Sequence, residues 1–114
     1  MKQINRYIDS IFYKHDEILE EVLISIKEHG IRSISVSVSA STGKLLTLLV
    51  SISGAKNVLE VGALGGYSGI CLARGLGKEG KLTSLELVEN YADLAYQNVT
   101  KAGNSMIPLL SILN

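Results

Sequence analysis

With 114 residues the chain has room for one domain and one hydrophobic core. Its eleven basic and eleven acidic residues cancel, leaving no basic stripe for nucleic acid and no charge block for a membrane surface. The single cysteine, Cys71, rules out an internal disulfide and fits a reducing cytoplasm, and the polar opening Met1-Lys2-Gln3 does not read as a signal peptide.

In chain order, residues 4–12 place Ile4, Ile8, Ile11 and Phe12 on one helical face. A second helix follows with Ile18, Val22 and Ile26 in one row and Leu19 and Leu23 beside it; Asp16 suits its N-cap and Gly30 its left-handed stop. Next, Ile34, Val36, Val38 and Ala40 alternate with Ser33, Ser35, Ser37, Ser39 and Ser41, which by period alone is a half-buried strand. Ser41 or Thr42 is expected to cap a helix carrying Leu45, Leu46, Leu48, Leu49 and Ile52 and ending at Gly54. Its apolar run is too short, and too broken by Thr47 and Ser51, to cross a bilayer.

The second half alternates strand and helix. Asn57–Val61 reads as a strand, 68–76 as a helix, 77–80 as a loop and 81–86 as a second strand. A helix over 89–102 carries Ala92, Ala95, Val99 and Ala102 at helical spacing and stops at Gly103. That β-α-β-α order requires a parallel sheet with right-handed crossovers. Pro108 cannot donate to a sheet ladder, so 104–114 is expected as an irregular tail or the start of a third, edge strand. The predicted organisation is one domain: helices and a loop over 1–54, a β-α-β-α core over 55–103, then the tail.

The chemistry concentrates at Val58-Leu59-Glu60-Val61-Gly62-Ala63-Leu64-Gly65-Gly66-Tyr67-Ser68. An apolar strand, a glycine turn and a helix start form a place where a nucleotide-like ligand meets bare backbone. Glu86 ends the next strand, at the spacing from the turn that suits a carboxylate on ribose hydroxyls. The turn reads Gly62-x-x-Gly65-Gly66 with Glu60 just before it, whereas a dinucleotide fingerprint reads G-x-G-x-x-G. Glu60 would repel a pyrophosphate but favour the cationic sulfonium and amino groups of S-adenosylmethionine. Glycines serving packing alone are the plainer alternative. His15 and His29 sit on polar helix faces without metal-ligand spacing, and Cys71 lies among Ile70, Leu72 and Ala73 as an inert buried thiol. Tyr67 and Lys44 read as packing and solvated positions.

These residues resemble the cation-dependent O-methyltransferases, the group containing catechol and caffeoyl-CoA O-methyltransferases and their small bacterial relatives. The likeness runs from about Val36 through Ser39-x-x-x-Gly43-Lys44-Leu45-Leu46, then Ala55-Lys56-Asn57-Val58-Leu59-Glu60-Val61-Gly62 and Gly65-Gly66-Tyr67-Ser68. It continues through Leu72-Ala73-Arg74-Gly75-Leu76, Gly80-Lys81-Leu82-Thr83-Ser84-Leu85-Glu86 and Lys101-Ala102-Gly103, covering most of the chain but only the front half of the family's domain. The resemblance implies an α/β fold: a partial Rossmann-like class I methyltransferase domain, its parallel strands flanked by helices, with an N-terminal helical segment. It also implies that residues 33–41 form an extended loop lining the cofactor site, with Val38 contacting S-adenosylmethionine through its main chain.

By the same resemblance Glu60 would hold the cofactor's amino or sulfonium region, and Gly62 and Ala63 would face it with backbone. Ser68 would bind its carboxylate, with an ordinary N-cap as the alternative role, and Glu86 would take both ribose hydroxyls. The family transfers a methyl group to a hydroxyl of a small-molecule acceptor, aided by a divalent cation whose ligands come from the back half. None of those ligands is present here, so no catalytic or metal residue is expected and the chain should not turn over alone. A homodimer is compatible with this reading. A non-catalytic S-adenosylmethionine-binding or interaction module is the alternative. An NAD-dependent dehydrogenase fragment is disfavoured by Glu60 and the missing middle glycine.

Overall fold

The computed structural model describes residues 2–12, 16–30, 39–103 and 109–113. In chain order the elements are α1 (Lys2–Phe12), α2 (Glu17–Glu28), α3 (Ala40–Ser53), β1 (Asn57–Val61), α4 (Tyr67–Gly75), β2 (Lys81–Leu85), α5 (Glu89–Gly103) and β3 (Leu109–Leu113). The serine-alternating segment before Ser39, the tail residues 104–108 with Pro108, and the expectations for Val38 and His15 lie outside the described residues.

Local chemistry sets most of the boundaries. Asp16 caps α2 by accepting the Leu19 N–H, and the chain leaves that helix through His29 and Gly30, where φ is +73°. Gly54 (φ +66°) ends α3, but its N-cap is Ser39, which accepts the Thr42 N–H, so the helix begins earlier than a cap at Ser41 or Thr42 would give. Ser39, in extended backbone with ψ 162°, does the capping, and Ser41 and Thr42 lie inside the helix.

The sheet is three-stranded and parallel, in the order β1-β2-β3, with Glu60 opposite Ser84 and Leu82 opposite Leu110. Both crossovers step the same way across the sheet, so right-handed connections lay α4 and α5 on one face. The alternation in β1 agrees: Val58 and Glu60 turn inward, while Leu59 and Val61 are 65% and 80% exposed on the opposite face. The tail thus contributes an edge strand, β3, over Leu109–Leu113.

The core lies between the helices and the inner sheet face. Val22 and Ile26 of α2 meet Tyr67, Ile70 and Cys71 of α4 and Leu94, Val99 and Ala102 of α5. A second cluster joins Val50, Ala73, Leu76 and the fully buried Leu82, a side chain whose burial contributes about 1.5–3 kcal/mol. Helices α3 and α4 approach closely because Gly75 lacks a Cβ, which would lie 2.5 Å from the Thr47 carbonyl oxygen. The Thr47 hydroxyl then reaches across to the Cys71 carbonyl at 2.7 Å. Of the apolar face expected on α1, Ile4 and Ile11 are exposed and Ile8 is half-buried, although the helix contacts α3. No helix among the described residues is long and apolar enough to cross a membrane.

Candidate functional site

The site is built at the carboxyl ends of β1 and β2, the end of an open parallel sheet where a crevice forms. Past Val61 the ladder continues for one more bond, Gly62 N–H to the Leu85 carbonyl at 2.7 Å. The chain then turns through Gly62 at φ +92°, Leu64 at φ +49° and Gly66 at φ +90° before α4 begins. Positive φ is ordinary for glycine but uncommon for leucine. A Cβ on Gly62 would meet nothing within 4 Å, so the backbone there faces open space, whereas one on Gly66 would press on Val99 at 3.0 Å and the Ala95 carbonyl at 3.1 Å.

Glu86 ties the turn to the end of β2. Its Oε1 accepts the Leu64 N–H at 2.8 Å and its Oε2 accepts the Val88 N–H at 3.1 Å. The first bond holds Leu64 in its left-handed conformation. A carboxylate offers about four acceptor sites in all, so these bonds are compatible with further donors such as ribose hydroxyls.

Glu60 is placed differently from a carboxylate that meets a ligand head-on. It is 9% exposed, and both oxygens accept from serines: Oε2 from the Ser68 hydroxyl of α4 and Oε1 from the Ser84 hydroxyl of β2 at 2.9 Å. Gly69 leaves the room for this, since a Cβ there would sit 3.3 Å from Glu60 Oε1. Burial raises the Glu60 pKa above the usual carboxylate range; the two serine bonds oppose that rise, and nearby Glu86 adds to it.

Ser68 therefore does not act as the ordinary N-cap. Gly66 occupies the N-cap position of α4 with no side-chain bond, and the Ser68 hydroxyl, half-buried in the first turn, donates to Glu60. Ala63 is buried by the protein itself, at 2% exposure, so packing alone keeps that position small. Of the six candidates, Glu60, Gly62, Ala63, Ser68 and Glu86 come together around one turn, and Val38 lies outside the described residues.

Two residues that shape the turn carry no motif. Ser84, buried at 2%, anchors Glu60 from the neighbouring strand, and Asn98 of α5 donates to the Gly65 carbonyl at 2.8 Å and to Ser25 Oγ of α2 at 2.9 Å. The available signal was polarity on a buried face: Ser84 shares the inward face of β2 with Leu82, and Asn98 sits between the core positions Ala95 and Ala102 of α5.

The other reactive side chains are occupied or protected. Burial pushes the Cys71 thiol up to about 11, which leaves it protonated and inert at neutral pH. Arg74 pairs with Asp16 at 2.5 Å, holding that carboxyl below its usual range. His29 is exposed, with Nδ1 2.8 Å from the Ser25 carbonyl. A cleft of about 250 Å³ between the end of α2 and the start of α5, lined by His29, Asn90, Tyr91, Asp93, Leu94 and Gln97, includes none of the candidates. Among the described residues no three His, Cys, Asp or Glu side chains gather in a way that could hold a metal ion.

Comparison with known proteins converges on one family. An O-methyltransferase family model matches residues 9–108. The chain is 39% identical over 102 residues to the catechol O-methyltransferase of Niastella koreensis, covering 90% of this chain and 45% of that protein. It is 37% identical over 100 residues to the catechol O-methyltransferase of Mycobacterium tuberculosis, covering 88% and 44%. Among solved structures, the Bacillus cereus O-methyltransferase in complex with SAH superposes with a TM-score of 0.85 at 38% identity, over 96% of this chain and 49% of that one. The Streptomyces achromogenes O-methyltransferase of tomaymycin synthesis, in complex with SAM, gives 0.80 at 32% identity, over 98% and 49%. The chain thus spans about half the length of the relatives it matches.

Proposed function

Because the chain belongs to the O-methyltransferase family, we propose that it binds S-adenosylmethionine at the carboxyl ends of β1 and β2 and forms the methyl-donor half of an enzyme that methylates a hydroxyl of a small molecule. The observation that carries this reading is Glu86, fixed by the Leu64 and Val88 amides at the lip of a glycine turn whose Gly62 backbone opens to solvent. Glu86 is positioned to accept from the ribose hydroxyls, and Gly62 and Ala63 supply the backbone wall along the cofactor. Ser68 meets the methionine carboxylate, and Glu60 acts on that end of the cofactor through Ser68. Val38 is assigned a main-chain contact by resemblance alone.

The methyl group on a sulfonium is already activated toward an oxygen nucleophile, so these residues contribute binding and orientation. A divalent cation, which the resemblance implies for the family, would supply acidification of the acceptor hydroxyl. The described residues do not fit it, because they bring together no oxygen-ligand set. The cytoplasm is the compartment we assign, on the reduced, buried Cys71. A homodimer is an extension of the same reading, supported by Leu45, Leu48, Leu49 and Ile52, which α3 leaves exposed.

Calorimetric titration of the chain with S-adenosylmethionine and, separately, with NAD tests the proposal. Binding of the first and not the second is expected; preference for NAD would replace it with the dehydrogenase reading. A non-catalytic binding module gives the same titration and is separated from a half-enzyme by methyl transfer once the missing half of a relative is supplied alongside.

A further inference from the structure

Hydrogen-bond polarity at Ser68 raises a problem that the proposed site has to solve. A serine hydroxyl has one hydrogen to give. In the structure that hydrogen is given to Glu60 Oε2. The cofactor's carboxylate is an acceptor only, so Ser68 in this state presents lone pairs to a group that needs a donor. Ser84 holds the other oxygen, Oε1, at 2.9 Å in a buried bond, so the Glu60 carboxyl cannot turn aside without losing it.

We propose that Glu60 takes up a proton when the carboxylate of the cofactor docks on Ser68, so that the Glu60–Ser68 pair reverses its hydrogen bond. The proton comes from water and adds to Oε2. The new O–H donates to Ser68 Oγ, and the serine hydrogen, released from Glu60, turns to the ligand carboxylate. Ser84 donates to Oε1 before and after, which fixes the carboxyl while the other oxygen changes role. The net change is one proton bound and no covalent bond to carbon made or broken. Glu60 is therefore a positioning residue acting through Ser68, and this inference rests on the cofactor reading above.

The surroundings favour the neutral form. Burial is the largest influence on Glu60 and raises its pKa. The titratable groups on β2 and α4, the elements that meet Glu60, are Lys81, with Glu86 just past the end of β2, and Tyr67, Cys71 and Arg74. Of these, Glu86 acts on Glu60, in the same direction as burial. A ligand carboxylate arriving at Ser68 adds another negative charge and pushes the same way.

The experiment titrates the chain with S-adenosylhomocysteine and with methylthioadenosine, which has the adenosine but no carboxylate. Calorimetry between about pH 5 and 8, in buffers of different ionisation enthalpy, counts the protons bound with each ligand. Uptake with S-adenosylhomocysteine should climb toward one proton per site as pH rises, with affinity falling up to tenfold per pH unit, and methylthioadenosine should show neither. Glu60→Gln, whose amide donates permanently to Ser68, should bind S-adenosylhomocysteine with flat pH dependence and no uptake. Ser84→Ala removes a donor to the charged form and should move the wild-type midpoint upward, a shift that a merely structural role would not give. Both ligands bound without proton uptake by the wild-type chain overturns the inference and leaves the cofactor site standing. Neither ligand bound overturns the site and the inference with it.

Discussion

Replacing Glu86 with alanine removes two different interactions, and their sizes can be estimated separately. In the free chain the variant loses the acceptor for the Leu64 N–H, a 2.8 Å bond in a partly buried position, and the exposed 3.1 Å bond from Val88, which contributes little. A bond to a charged acceptor is worth about 1.5–3 kcal/mol when protected, and partial exposure brings the Leu64 bond to about 1–2 kcal/mol. That bond also holds a leucine at φ +49°, a conformation that costs a non-glycine residue about 1–2 kcal/mol, so the turn should relax when it is lost. Because relaxation of the turn offsets part of this loss, the melting temperature should fall by at most about 5–10 °C for a domain of this size. Binding loses the ribose contact as well, about 1.5–3 kcal/mol, or roughly 10- to 150-fold in Kd. Calorimetry well below the variant's melt should show that loss for S-adenosylhomocysteine and methylthioadenosine alike, because both carry the ribose. A folded Glu86→Ala chain with unchanged affinity, or one that loses only S-adenosylhomocysteine, would refute the assignment.

Gly65→Ala should destabilise the chain by about 1–3 kcal/mol, because the added Cβ would lie 2.1 Å from Ile26 Cγ1 in a closed core; chemical denaturation measures it, and a neutral result would mean that α2 yields freely. Asp16→Ala should cost about 1 kcal/mol near neutral pH through loss of the α2 cap. Because the Asp16 pKa is lowered by the Arg74 bond, its contribution is present above the ordinary value of 3.8 and is lost as pH falls through the folded value, so wild type and variant should converge in acid. Glu60 has the opposite sign: the folded chain holds the extra proton, so stability should fall as pH rises above 4.5, and Glu60→Gln should flatten that slope in pH-dependent melts. Cys71 should resist iodoacetamide at pH 8 in the folded chain and react promptly once unfolded, as mass spectrometry would show; fast labelling of native chain would contradict its burial. Magnesium should neither bind tightly nor stimulate methylation of a catechol-type acceptor by the chain alone, and magnesium-dependent product would mean that an oxygen-ligand set converges outside the described residues.

The amino-acid sequence by itself determined the order and type of the described elements, the strand Asn57–Val61, the stops at Gly30 and Gly54, the Asp16 cap and the glycine turn with its two acidic residues. These are short-range matters: a side-chain oxygen near an amide, a backbone that tolerates positive φ, a hydrophobic period. Tertiary structure alone decided what the acidic residues touch. Glu60 and Ser84 are 24 positions apart, and only parallel pairing in the observed register sets them side by side on the inward face. Docking α4 over that face then brings the Ser68 hydroxyl onto the same carboxylate and leaves Gly66 to begin the helix. Burial followed the same rule. Leu59 and Val61 of β1 remain exposed because both crossovers place their helices on the other face of the sheet, and Ile4 and Ile11 of α1 are exposed although they fit its helical period. Periodicity states which face of an element can be buried; the arrangement of its neighbours determines whether it is.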